Sequence, residues 1–194
     1  MLQRQLEQLI TSTPELIETA LLCREMDIPN HYIAGGCVTQ RIWNSLSKQA
    51  PLTNIKDFDL VYFDSLSEPS ESWYSQQINN RLHHKVAVDV VNQALVHTWF
   101  AKKFGRSINP CASVEEGIDS WLSAFAIGFR LEQNGDLTIY SPYGLQDAFN
   151  QRVKPNPKVM SQESYQAMTK DYLRRWPDIS VEPWCSSLTI AVKF

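Results

Sequence analysis

The sequence predicts an α+β fold built on a mixed β-sheet flanked by helices. Three observations predict it. Helical and strand-like segments alternate through the first half of the chain. The run "AIGFRLEQNGDLTIYS" then has the pattern of a β-hairpin. Helical patterning returns near the C-terminus.

Taken in order, residues 1–11 predict a short amphipathic helix. A second helix starts in "TSTPELIETALLCREM", with Thr13 as N-cap, Pro14 at the first helical position and Glu15 in the first turn. Leu16, Ile17, Ala20 and Leu21 supply its apolar face. "HYIAGG" predicts a strand ending in a Gly-Gly turn, and "CVTQRIWNSLSK" a helix with Val38, Ile42 and Leu46 on one side. "FDLVYF" and "KVAVDVV" predict strands, separated by the polar surface helix "SEPSESWYSQQINNRL" with Pro69 near its start. "QALVHTWFAKKFG" predicts a helix stopping near Gly105, and "SVEEGIDSWLSAF" opens with a capping box of Ser113 and Glu116. Asn134-Gly135 serves as the two-residue hairpin turn. "SQESYQAMTKDYLRRW" predicts a late helix, with Pro177 just past its end. A single domain over residues 1–194 is expected, with a core of about 14–150 and a C-terminal helical extension of about 151–194.

Composition sets the outer bounds. Apolar content of 43% and charged content of 20% are ordinary for a globular chain. A net charge of −3 argues against a large nucleic-acid substrate, which calls for a basic surface. Cys23, Cys37, Cys111 and Cys185 form no CxxC pair and no zinc-ligand spacing. Scattered thiols fit a reducing compartment, so a cytoplasmic location is expected. The opening "MLQRQLEQLI" does not read as a signal peptide, and no apolar run approaches the ~18 residues of a membrane span.

The chemistry concentrates in "IKDFDLVYFD", residues 55–64. Asp is depleted in strands, and a carboxylate removed from water needs a partner or a metal. Strand alternation puts Asp57 and Asp59 on one face, about 6–7 Å apart along the strand. Asp64 has the opposite parity and suits a cap for the following loop. Asp89 stands among the apolar residues of "KVAVDVV". If the two strands are neighbours, three acids converge, and a divalent cation such as magnesium relieves their repulsion. Gly35 and Gly36 follow a strand and open a helix, where backbone amides can face an anion. A tight strand-to-helix turn explains the same two glycines, and solvated turn residues explain "DFD" alone. The seven glycines make neither a Walker A loop nor GxGxxG.

Strand, Gly-Gly, helix, "DFD" and a third Asp on a later strand resemble the DNA polymerase beta-like nucleotidyltransferase superfamily. "AGGCVTQRIWN", "DFDLVYFD", "VDVVNQALVHTWF", "AIGFRL", "SPYGLQDAF" and "RRWP" resemble a bacterial nucleotidyltransferase-like branch of it without a settled role. These segments run from residue 34 to 177. The resemblance implies a nucleotidyltransferase-type sheet, and transfer of NMP from an NTP to a hydroxyl acceptor. It implies Asp57, Asp59 and Asp89 as catalytic and metal-holding residues for two Mg2+ ions, with Mn2+ as a substitute. It implies the Gly35 and Gly36 amides as a triphosphate cradle. Many superfamily members carry Gly-Ser where this chain has Gly35-Gly36, which removes a hydroxyl contact to phosphate.

Further nucleotide-binding candidates are Asn92, for the ribose or base, and His97, for a phosphate. Arg130 is a guanidinium in an apolar strand that wants either a nearby acid or a bound phosphate. Tyr143, in the "SPYGL" turn, is a candidate for stacking on a base. His83-His84 reads as a solvated helix end, Lys102, Lys103 and Arg106 as a solvated basic face, and Arg174-Arg175 as cations at a helix C-terminus. The alternatives on the same fold are a nucleotide-binding module without catalysis and an antitoxin-like protein-interaction module.

Overall fold

The structure is a computed structural model and describes residues 1–158 and 160–184. Cys185 lies outside the described residues. Two helices, α1 (Leu2–Thr11) and α2 (Pro14–Glu25), precede strand β1 (His31–Ala34), helix α3 (Gly36–Leu46) and strand β2 (Asp57–Tyr62). Then come α4 (Glu71–Arg81), β3 (Ala87–Asn92), α5 (Val96–Phe104), α6 (Val114–Asp119), β4 (Gly128–Leu131) and β5 (Leu137–Tyr140). The chain continues through α7 (Gln146–Phe149), β6 (Arg152–Val153), α8 (Gln162–Arg175) and β7 (Ser180–Val181).

Strands β3-β2-β1-β4-β5 form a five-stranded mixed sheet, in which β2 and β3 are parallel and the other pairs antiparallel. The expected α+β class and mixed sheet are both present. A second, two-stranded parallel sheet joins β6 and β7.

The two faces of the large sheet differ in what they bury. Phe58, Leu60 and Tyr62 of β2, with Ile33 and Phe129, join α1, α2, α3 and α4 in the main core. At ~25 cal/mol per Å² of apolar area buried, this layer dominates the stabilisation of the fold. The opposite face carries a smaller cluster, Tyr32, Ala34 and Val61 against Val114 and Ile118 of α6. That face is only partly covered by helix. The C-terminal segment closes on the main core: Trp176 is fully buried, packs edge-on to Trp43, and donates from its indole to Asn44 Oδ1 at 2.8 Å.

Three local features depart from expectation. Thr13 stands at the N-cap of α2, but its hydroxyl does not cap it. The side chain is fully buried, donates to the Leu9 carbonyl at 2.7 Å and accepts from Arg41 Nε at 2.7 Å. Tertiary bonding wins because α1, α2 and α3 meet at this point. The hairpin loop has three residues, not two. Glu132 N–H still pairs with the Asp136 carbonyl, the Gly135 amide closes a turn onto Glu132, and Gly135 takes φ +91°. That is the type I turn followed by a left-handed residue of three-residue hairpins. Finally, the "SVEEGIDSWLSAF" helix stops at Asp119, and "WLSAF" instead forms the turns that lead into β4. Ser113 does cap it, accepting from Glu116 N–H, while the Glu116 carboxylate reaches back to the Ala112 amide.

Candidate active site

The sheet register brings the three acids together. Asp59 is paired with Asp89 across the parallel β2–β3 ladder and with Ala34 across the antiparallel β1–β2 ladder. Asp57 lies one pleat repeat earlier, beside Ala87. By alternation all three carboxylates share the face of Val61, the face that helices leave partly open. They sit where β1 ends and where β2 and β3 begin.

This crowding shows in the protonation of the acids. Burial, then the neighbouring Asp57 and Asp89 charges, push the Asp59 carboxyl up to about 7, against the opposing hydrogen bond from the Gly36 amide. Asp57 is also held above the usual carboxylate range, by burial first and then by Asp89, with Lys56 and Arg175 pulling it back down. Like charges held together and half out of water disfavour ionisation. Among the described residues, no three His, Cys, Asp and Glu side chains are arranged to grip a single ion. The donor set nevertheless fits a hard divalent cation: three carboxylates supply oxygen only, and two of them are destabilised by uncompensated charge. Magnesium also keeps waters and substrate oxygens among its ligands, so it does not need a closed protein cage.

The Gly-Gly turn packs against these acids, and one amide of the expected phosphate cradle is already bonded within the protein. The Gly35 amide continues the β1–β4 ladder by donating to the Ile127 carbonyl at 2.9 Å. The Gly36 amide opens α3 beside Asp59 and favours the charged form of its carboxyl. The Gly35 amide is thus engaged within the protein. Gly35 adopts φ +74° with ψ −131°, a region closed to side-chain-bearing residues. A Cβ there meets the Trp121 ring at 3.0 Å and Asp59 Oδ2 at 3.2 Å. Glycine is required for conformation and for the close approach of Trp121 to the acids.

Of the other candidates, Asn92 is fully buried and its side chain is committed. Its Oδ1 accepts from the Asp64 and Ala94 amides, and its Nδ2 donates to the Asp64 carbonyl at 2.7 Å. It also has the opposite parity to Asp89, so it clamps the end of β2 rather than facing the acids. Arg130 finds its anion in Glu132 at 2.7 Å and stacks over Tyr32, 5.0 Å from the ring centroid. Of the two partners considered from sequence, the acid is the one present. Tyr143 is half exposed and donates to the Asp119 carbonyl at 2.6 Å, outside the sheet. The tyrosine in the row of the acids is Tyr140, at the end of the register Asp89–Asp59–Ala34–Gly128–Tyr140. His97 lies in the first turn of α5, with its Nδ1 out of solvent and unpartnered. Asp64 behaves as a loop cap, accepting from the Leu66 amide at 2.9 Å. His84 is not a solvated end: it bonds Thr19 at 3.0 Å and packs on Phe58.

Three residues border the acids whose place there the sequence did not show. Trp121 was one of six tryptophans with nothing to distinguish it, and only the turn after α6 places it over Gly35. Lys56 precedes Asp57 and acts on its charge. Arg175 is the helix-end cation expected, in the last turn of α8, and its side chain is 11% exposed, wedged against the Tyr172 and Trp176 rings and bonded to the Asn54 carbonyl at 3.0 Å.

Comparison with known proteins follows this geometry. The sequence model of a family described as "Nucleotidyltransferase" matches residues 22–181. No curated protein matches. One solved structure is described by the words "The NMR structure of the protein reveals a CCA-adding enzyme head domain". It superposes with a TM-score of 0.76 at 21% identity, covering 93% of this chain and 96% of that one. A second, "Structure of tRNA-processing enzyme complex 3", has a TM-score of 0.48 at 13% identity, covering 84% of this chain and 43% of that one. The first likeness shows a shared fold.

Proposed function

The chain belongs to this nucleotidyltransferase family, and from that premise we propose that it transfers NMP from an NTP to a hydroxyl-bearing acceptor, with Asp57, Asp59 and Asp89 holding the divalent ions. The supporting observation is the register that sets Asp59 beside Asp89, with Asp57 on the same face. Two Mg2+ ions, or Mn2+ in their place, are the ions the carboxylate set suits. When bound, such ions balance phosphate charge and make the acceptor hydroxyl more acidic.

The chain's own residues divide the remaining work. Asp59 is the innermost acid, and the Gly36 amide favours its charged form. Asp57 faces Lys56 and Arg175, whose charges favour its ionised form. Asp89 is the most exposed of the three, on the side open to an arriving acceptor, and takes the proton from its hydroxyl. Trp121, bordering Gly35 and Asp59, provides an apolar wall for the nucleotide. No helix among the described residues is long and apolar enough to cross a membrane; the cytoplasmic location in this reading rests on the scattered thiols alone.

A second reading, nucleotide binding without transfer, is favoured by the engagement of the Gly35 amide inside the protein. Incubation with labelled NTPs, Mg2+ and a metabolite pool distinguishes the two by pyrophosphate release. Asp89→Asn is expected to keep most of its Mg–NTP affinity and to lose at least ~100-fold in transfer rate, because the base acts only in the transition state. Transfer at the wild-type rate by that variant removes Asp89 from the mechanism.

A further inference from the structure

Beside Asp57 the chain builds a second charged feature that the carboxylate site does not use. A cleft of about 370 Å³ is lined by Asn54, Ile55, Lys56, Arg174 and Arg175. Three cations face it, and one carboxylate, Asp171, answers all three. Its oxygens lie 2.6 Å from Arg175, 2.7 Å from Arg174 and 3.9 Å from Lys56. The three cations exceed Asp171 by two charges, and by one when ionised Asp57 is counted.

The three cations are not held alike. Lys56 and Arg174 are 68% and 76% exposed, with long side chains free to swing. Arg175 is fixed. Its guanidinium stacks 4.7 Å from the Trp176 ring and 5.1 Å from Tyr172, and Asn54 and Arg175 exchange hydrogen bonds between the loop before β2 and the end of α8. Asn54 holds φ +63° to do so, a conformation Asn tolerates better than most residues. One rigid guanidinium with two mobile cations around it is the composition of a phosphate site. A purely structural surface network gains little from surplus like charge, since exposed ion pairs contribute little to stability.

We propose that this cleft is a phosphate-binding subsite, in which Lys56, Arg174 and Arg175 take a phosphate group of the substrate and Asp171 holds their charges until it arrives. Position supports this: Lys56 adjoins Asp57 in sequence, and Lys56 and Arg175 both act on the Asp57 charge. A phosphate bound there lies next to the acids. It also supplies a phosphate contact that the engaged Gly35 amide does not. The carrier of the phosphate is either the NTP or a phosphorylated acceptor. Only that choice of carrier rests on the nucleotidyl-transfer reading.

The test is titration of the full chain with inorganic pyrophosphate in EDTA, followed by calorimetry. Wild type is expected to bind. The double variant Lys56→Gln/Arg174→Gln, both exposed positions, is expected to bind about tenfold more weakly. Asp171→Asn is expected to bind several-fold more tightly, because it removes the competing carboxylate, although it also removes three ion pairs. Pyrophosphate that fails to bind, or binds equally to all three proteins, overturns the proposal, as does weaker binding by Asp171→Asn. Displacement of pyrophosphate by Mg–NTP identifies the nucleotide as carrier, and simultaneous binding identifies a phosphorylated acceptor. Transfer activity with unchanged pyrophosphate binding in the variants sinks the cleft alone. Pyrophosphate binding as expected, in a protein that transfers nothing, sinks the transfer reading alone.

Discussion

Asp59→Asn is expected to make the metal-free protein more stable above pH 7 and, at the same time, to abolish its response to divalent ions. Burial and the charges of Asp57 and Asp89 push the Asp59 carboxyl up to about 7, against ~3.9 in an unfolded chain. The folded state therefore binds this proton more tightly than the unfolded state does. Stability falls as pH rises from about 4 to about 7 and stays at its lower level above that. The penalty at pH 8 is on the order of 4 kcal/mol at most. Asn nearly preserves the volume of Asp and carries no charge, so it escapes the penalty. A gain of several degrees in melting temperature at pH 8, shrinking toward zero at pH 4, is the expected result. Equal or lower stability of the variant at pH 8 contradicts the account of Asp59 as an uncompensated acid. A gain in stability with a loss of ion binding is what a functional site held at a cost looks like.

Gly35→Ala carries the largest expected loss of stability. The backbone at Gly35 has φ +74° and ψ −131°, where any Cβ costs ~1–3 kcal/mol in backbone strain. The new methyl also meets Trp121 at 3.0 Å and Asp59 Oδ2 at 3.2 Å. Either the turn or the indole has to move, and the β1–β4 hydrogen bond from Gly35 to Ile127 moves with it. A fall in melting temperature of about 5–15 °C follows for a chain of this size. Gly105→Ala is the control. It also has positive φ, but nothing lies within 4 Å of its added Cβ, so it is expected to lose less. Equal losses in the two variants contradict the packing argument.

Much of this was legible in sequence because it depends on local periodicity. Alternation in "DFDLVYF" placed Asp57 and Asp59 on one face, and the apolar run around Asp89 marked a strand that the sheet sets beside them in register. Pro14, Ser113 and Gly105 marked helix ends where the structure has them. What was not legible depends on contacts distant in sequence. Thr13 has the chemistry of a cap, but Arg41 claims its hydroxyl from 28 residues away. At Arg130 the sequence left an acid and a phosphate open, and Glu132 two residues on, held by Thr138 from across the hairpin, is the acid it pairs with. Asn92 and Arg175 are polar residues whose roles are set by which backbone segments they bridge, Asp64 in one case and Asn54 in the other. The Gly-Gly amides were expected to face phosphate, and the register of β1 against β4 assigned one of them to Ile127 instead. Trp121 reaches the acids only because α6 ends early.

The central claim is that Asp57, Asp59 and Asp89 form one divalent-ion site for a nucleotide. It is tested most directly by electron paramagnetic resonance of Mn2+ titrated into the protein with a non-hydrolysable NTP analogue. The account predicts bound manganese in the wild type that depends on the analogue, lost in Asp57→Asn and Asp59→Asn and retained in Asp64→Asn. Free manganese throughout, or the same bound signal in Asp57→Asn as in the wild type, contradicts it.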